Sequence, residues 1–150
     1  IYIFMIIVVA ITLVVGFKAV NSLMGKQSQV ELISFYNDLD REVKKIYNLD
    51  EGSSDKITLN LPSSIKQVCF TTNQTTLNVN SLDAVSKSII NNNYKSKTRK
   101  NVFTLPVSAV DQNKAYYFIK NLEVSTNPVC IQTKGTITFT LQNKGEVYIS

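Results

Sequence analysis

The sequence predicts an α+β fold: one long N-terminal α-helix packed on a small antiparallel β-sandwich-like head. Three observations predict it. Residues 1–17, IYIFMIIVVAITLVVGF, are apolar or small except Thr12 and carry no charge. Residues 27–49 repeat apolar side chains at helical spacing. From Lys56 onward the apolar period falls to two, the period of a half-buried strand. A chain of 150 residues, 44% of them apolar, has room for one ordinary domain plus one extra element.

Composition removes whole classes of chemistry. There is no histidine, so His-based acid–base catalysis and His metal sites are excluded. Two cysteines cannot complete a structural zinc site by themselves. Five glycines are present, with neither GxGxxG nor GxxxxGK[ST]. No cofactor or metal is expected, and nothing points to an enzyme.

The first element is the apolar segment 1–25. Its first charge is Lys18 and its second is Lys26. As a helix it would run about 37 Å, enough to cross a hydrocarbon core of roughly 30 Å. Lys18 would then snorkel toward the headgroups. Ile1, Ile3, Phe4, Ile6, Ile7, Val8, Ile11, Leu13, Val14 and Phe17 lie all round it. A helix with no polar face must be surrounded by lipid or by copies of itself. Three readings follow: a cleaved secretory signal, a simple membrane anchor, or a membrane helix that moves into a filament core on assembly. The first lacks a basic n-region and a small-residue cleavage site. The third is favoured because the run opens directly on Ile1, as expected after cleavage just ahead of it.

The same helix continues to residue 50. Leu32, Tyr36, Leu39, Val43 and Ile46 recur at spacings of 4, 3, 4 and 3, a seam along one side. Asp38, Asp40, Arg41, Glu42, Lys44 and Lys45 fall off the seam, and Asp40 with Lys44 forms an i,i+4 pair. No proline precedes Pro62. The stop is expected at residues 50–54, with Gly52 as turn residue. One helix of about 48 residues would span roughly 72 Å. Gly16 is its weak point, a hinge or a close-packing site. The seam suits a helix face laid on a sheet better than a free-standing coiled coil.

Residues 54–150 read as the β-rich head. Ile57, Leu59 and Leu61 alternate with polar residues, as do Val68 and Phe70, Leu77 and Val79, and Ile137, Phe139 and Leu141. Turn candidates at Lys134-Gly135 and Gln142–Gly145 make 129–149 a three-strand meander. Further strands are expected near 102–106 and 115–124. A short helix over 82–91 would be capped by Ser81 and ended by Asn91-Asn92-Asn93. Seven or eight strands fit a sandwich or a twisted sheet on the helix equally well.

Cys69 and Cys130 both fall in expected strands. They either pair, as an exported chain allows, or lie buried as free thiols. Asn73-Gln74-Thr75 is a glycosylation sequon that suits an outward-facing head. Lys95, Lys97, Arg99 and Lys100 crowd six residues, with Tyr94 and Phe103 near the ends. Residues 1–50 carry five charges of each sign, so the whole net +5 belongs to residues 51–150. The run is a solvated loop or a contact for an anionic cell surface or, in a DNA-capturing filament-tip subunit, for nucleic acid; no nucleic-acid motif accompanies it, so nucleic acid is not the expected partner.

An apolar helix at the N-terminus, continuing as an amphipathic helix into a β-rich head, resembles the type IV pilin superfamily. Residues 1–50 carry the resemblance in pattern and the head in general architecture. Bacterial members typically begin with phenylalanine and carry glutamate at the fifth position; here Ile1 and Met5 stand there. The chain therefore looks more like the archaeal pilins, relatives of the archaellins. The resemblance implies removal of a basic leader by a prepilin peptidase and residence in the membrane before assembly. It also implies a pilus assembly machinery, and a helical homopolymer with apolar helices inside and heads outside. The implied function is a structural subunit of an extracellular, adhesive surface filament. A membrane-anchored binding domain is the alternative. Lys18 would be costly in a dry filament core unless paired, and a carboxylate or carbonyl of a neighbouring copy, Glu31 among the candidates, is the expected partner.

Overall fold

The computed structural model describes residues 2–72, 77–78, 82–95 and 99–150, with side chains placed for all of these but 21–25, 95 and 112. Ile1, Asn73, Val79, Ser81 and Lys97 lie outside the described residues.

Helix α1 runs from Tyr2 to Tyr47, 46 residues and roughly 69 Å, without interruption. It passes Gly16 as helix, and a Cβ there would meet nothing within 4 Å. Neither a break nor an intrachain close contact marks that glycine. The helix stops slightly before the expected 50. The chain then turns through Gly52 at φ 96°, a conformation that favours glycine.

The stop is enforced from a distant strand. Asn143 is buried, and its Nδ2 donates to the carbonyls of Leu49 (2.8 Å), Ile46 (3.2 Å) and Tyr47 (3.3 Å). Helix ends leave such carbonyls without partners, so this side chain closes the terminus. Lys44 and Lys45 in the last turn complement the helix dipole. Asn143→Leu removes the donor while the carbonyls stay buried. It is expected to cost about 2–3 kcal/mol, read as a lowered denaturation midpoint of the detergent-solubilised chain.

Eight strands follow among the described residues: β1 (Ser54–Asn60), β2 (Gln67–Phe70), β3 (Val102–Leu105), β4 (Tyr116–Tyr117), β5 (Leu122–Val124), β6 (Val129–Gln132), β7 (Thr136–Asn143) and β8 (Val147–Ile149). They form two four-stranded sheets, ordered β1-β7-β8-β5 and β4-β3-β2-β6. Ile57, Leu59, Ile137, Phe139 and Leu141 turn inward from the first sheet, with threonines on its outer face. Thr58 and Thr138 bond across that outer face at 2.9 Å.

The second sheet is covered on both sides. Val68, Phe70 and Val102 join the main core with α1 and the first sheet. Cys69, Phe103 and Leu105 point the other way, into a smaller cluster with Ile90 of α2 (Ala84–Lys95). Leu32, Phe35, Tyr36, Leu39, Val43 and Ile46 form the helix stripe, each at most 3% exposed. Phe35 widens the seam beyond the 4-3 spacing, because a helix on a curved two-sheet surface needs a broad apolar face.

Several expectations are corrected. Residues 129–149 are not a three-strand meander: β7 and β8 form a hairpin, but β6 pairs with β2 in the other sheet. The segment between β6 and β7 is a sheet switch. Thr133 Oγ1 donates to the Thr136 carbonyl (2.9 Å), and Gly135 takes φ 92°. β5 pairs parallel with β8, so the first sheet is mixed. Leu77 and Asn78 are not strand; the Asn78 amide donates to the Asn127 carbonyl (2.7 Å). Helix α2 starts later than expected and runs through Asn91-Asn92-Asn93 to Lys95. Asp83 caps it, accepting from the Val85 and Ser86 amides (3.2 and 3.1 Å) and the Ser86 hydroxyl (2.5 Å). Those bonds, the Ser86 hydroxyl first, hold its carboxyl below the usual range.

Candidate assembly surface

The surface that stands out is the free half of α1. Tyr2–Val20 has a mean hydropathy of 2.7, and none of it is buried within the chain. Ile3, Phe4, Ile6, Ile7, Val8, Ile11, Leu13, Val14 and Phe17 are 41–75% exposed. Soluble monomers rarely expose contiguous apolar patches above a few hundred Å². The helix is one turn after another of such surface, long enough to cross a membrane. Thr12, its polar exception, donates its hydroxyl to the carbonyls of Val8 (3.1 Å) and Val9 (2.9 Å). That oxygen therefore needs no water, and Thr12 fits an apolar medium.

Lys18 is exposed at the end of this surface. Among the described residues no carboxylate of its own chain pairs with it. Glu31 lies thirteen residues further along one helix, about 20 Å away, so the two can meet only between copies. Gln27 Nε2 donates to Glu31 at 3.0 Å.

Beyond the rod, the stem of α1 is joined to the head. Lys114 Nζ reaches from the head to Gln29 Oε1 (3.0 Å), and two turns on, Tyr36 is clamped. Its hydroxyl donates to the Lys114 carbonyl (3.0 Å) and lies 3.4 Å from Thr104 Oγ1. Its ring stacks on Tyr117 with centroids 4.6 Å apart and planes 10° from parallel. Burial pushes the Tyr36 hydroxyl up to about 12, outweighing the Thr104 bond. An unfolded tyrosine ionises near pH 10. Above that pH the unfolded chain has lost a proton the folded chain keeps, so stability falls as pH rises. The contribution is complete below about pH 10 and declines by about 2–3 kcal/mol up to about pH 12. Denaturation titrations across that window are expected to show the decline in the native chain and a shallower one in Tyr36→Phe.

Cys69 and Cys130 stand directly opposite each other on β2 and β6 and are joined by a disulfide, S–S 2.05 Å. It ties the edge strand β6 to the second sheet.

Only part of the basic run falls within the described residues. Arg99 and Lys100 are exposed coil, Lys95 ends α2, and Lys97 lies outside the described residues. Tyr94 is partly exposed, but Phe103 is buried in the cluster under α2 and offers no stacking surface. The sequon asparagine Asn73 also lies outside the described residues. Among the described residues no three Asp, Glu or Cys side chains converge into a metal-holding group. No protein-family model, curated protein or solved structure matches the chain.

Proposed function

We propose that the chain is a structural subunit of an extracellular type IV pilus-like filament, assembled through its apolar N-terminal helix and serving surface adhesion. The observation that carries this reading is the wholly exposed apolar half of α1, continuous with a stem clamped to its own head. Burying each large side chain of that rod is worth about 1.5–3 kcal/mol relative to water, so a dozen contribute tens of kcal/mol. Lipid supplies most of this before assembly and a bundle of sister helices supplies it afterwards. Transfer between the two is near neutral, so it calls for an assembly machinery. Identical contacts repeated by a non-closing operator build a helix, not a ring. The role is structural, not catalytic. The disulfide suits an exported head.

A second reading, a membrane-anchored ectodomain that binds a partner and does not polymerise, is favoured by the span's length alone. Negative-stain imaging of native surface material separates the two. Fibres whose protein is this chain are expected; single particles held in lipid under every native condition overturn the filament.

Lys18 has a defined place in this reading, beside a carboxylate or carbonyl of the next copy. Lys18→Met is expected to lower fibre yield without lowering the amount of chain in the membrane fraction. Unchanged yield would remove the pair from the assembly.

A further inference from the structure

The charges of the stem and the head divide unevenly. Residues 31–55 hold seven carboxylates against three cations, and residues 56–150 hold eleven cations against four carboxylates. The fold places three of those carboxylates on one flank of α1 and two of those cations on the other. At 3.6 residues per turn, Glu31, Asp38 and Glu42 fall on one side of the buried stripe, while Ile33 and Asn37 fall on the other.

On the first flank a cleft runs between the stem and β1. Its lower part, about 430 Å³, is lined by Glu31, Ser34, Asp38, Asn60 and Leu61. Its upper part, about 340 Å³, adds Glu42 and Arg41. Three carboxylates line it against one cation: Arg41 meets Asp38 at 3.0 Å and Glu42 at 3.6 Å, and Lys45 beside the cleft meets Glu42 at 3.4 Å. On the second flank a cleft of about 310 Å³ is lined by Ile33, Asn37, Lys100, Lys114, Tyr116 and Tyr117. Its charged groups are both cations, and Ile33 at its edge is 44% exposed.

We propose that these flanks dock on each other between copies: the Lys100–Lys114 cleft of one subunit receives the Asp38–Glu42 side of its neighbour's stem. The inference rests on the filament reading and names the head-level contact within it. Charge complementarity selects a second copy as the occupant. Because the two patches are different surfaces on opposite flanks, the contact is heterologous, and its repetition does not close on a dimer. The same stem carries the apolar rod below, so one operator brings rods together and flanks together. Opposed charges at this level also set the rotation between neighbours, which a rod apolar all round does not specify.

The test uses the full chain expressed in cells that make fibres. Lys100→Glu with Lys114→Glu, and separately Asp38→Lys with Glu42→Lys, are each expected to reduce fibre yield about fivefold or more, as several repeated ion pairs of severalfold each would. The four substitutions together restore complementarity and are expected to recover most of the yield. Recovery shows that the losses were not misfolding. Wild-type fibres are expected to shed subunits or change twist in about 1 M salt, where the screening length is roughly 3 Å. Wild-type yield in both charge variants overturns the docking and leaves the filament reading standing. Losses in both that the combined variant does not recover also overturn it. Unchanged fibres with lost binding to anionic phospholipid vesicles in Lys100→Glu/Lys114→Glu assign the cleft to an anionic surface and overturn it too. Absence of wild-type fibres overturns the filament reading itself, and the docking with it.

Discussion

Val8→Asp is expected to remove the chain from the membrane fraction and to prevent fibres at the same time. Val8 lies near the middle of the Tyr2–Val20 span, with no protein partner in its own chain to shield a charge. An aspartate at the centre of a spanning helix costs about 3 kcal/mol on insertion scales, roughly a hundredfold in the insertion equilibrium. In a bundle of sister helices the same carboxylate recurs in every copy, and the nearest basic side chain along the rod is Lys18, ten residues on. Val85→Asp is the matched control. Val85 is 67% exposed on α2, and a charge there is expected to change stability by about 0.5 kcal/mol or less. Fractionation and imaging of the two variants give the result. A Val8→Asp chain that still inserts and polymerises contradicts both the anchor and the filament readings.

Loss of the Cys69–Cys130 disulfide is the largest expected change in the head itself. The bond closes a loop with a sequence separation of 61. In the chain-entropy account a loop of that size restricts the unfolded state by about 4 kcal/mol. Cys69→Ala with Cys130→Ala is expected to lower the melting temperature by roughly 10 °C in a chain of this size. Because β6 is an edge strand held on one side only, by β2, it is the element expected to open first. Hydrogen exchange of the Val129–Gln132 amides in the variant checks this directly. A melting temperature unchanged by the substitution would place the stability of the head in its apolar core alone.

The rod was legible because its signal is compositional: no arrangement of the head alters what an uncharged apolar helix must avoid. The stem seam was legible because the 3.6-residue period of Leu32, Tyr36, Leu39, Val43 and Ile46 is local. Phe35 carried the same signal, at i+3 from Leu32 and i−4 from Leu39, and belonged to the stripe once its width was allowed for. Strand alternation identified β2 and β7, since one face of each contributes to the main core. It did not identify partners. Val129 and Ile131 alternate identically whether β6 joins β7 or β2, and Leu122 and Val124 alternate identically in parallel and antiparallel pairing. Asn143 signalled only a turn, within Gln142–Gly145, and ends β7 instead. A polar residue at the end of a strand is ordinary until the helix end, some 94 residues earlier, arrives beside it.

By itself, then, the sequence determined the extent of the apolar rod, the face the stem buries and the change to strand period beyond residue 54, because each depends on neighbours a few residues apart. Only the tertiary structure decided which strands share a sheet, that Cys69 meets Cys130, that Asn143 closes α1, and that carboxylates and lysines flank the stem on opposite sides. Those are meetings between distant parts of the chain, and local periodicity constrains which face a residue takes, not which distant residue it finds there.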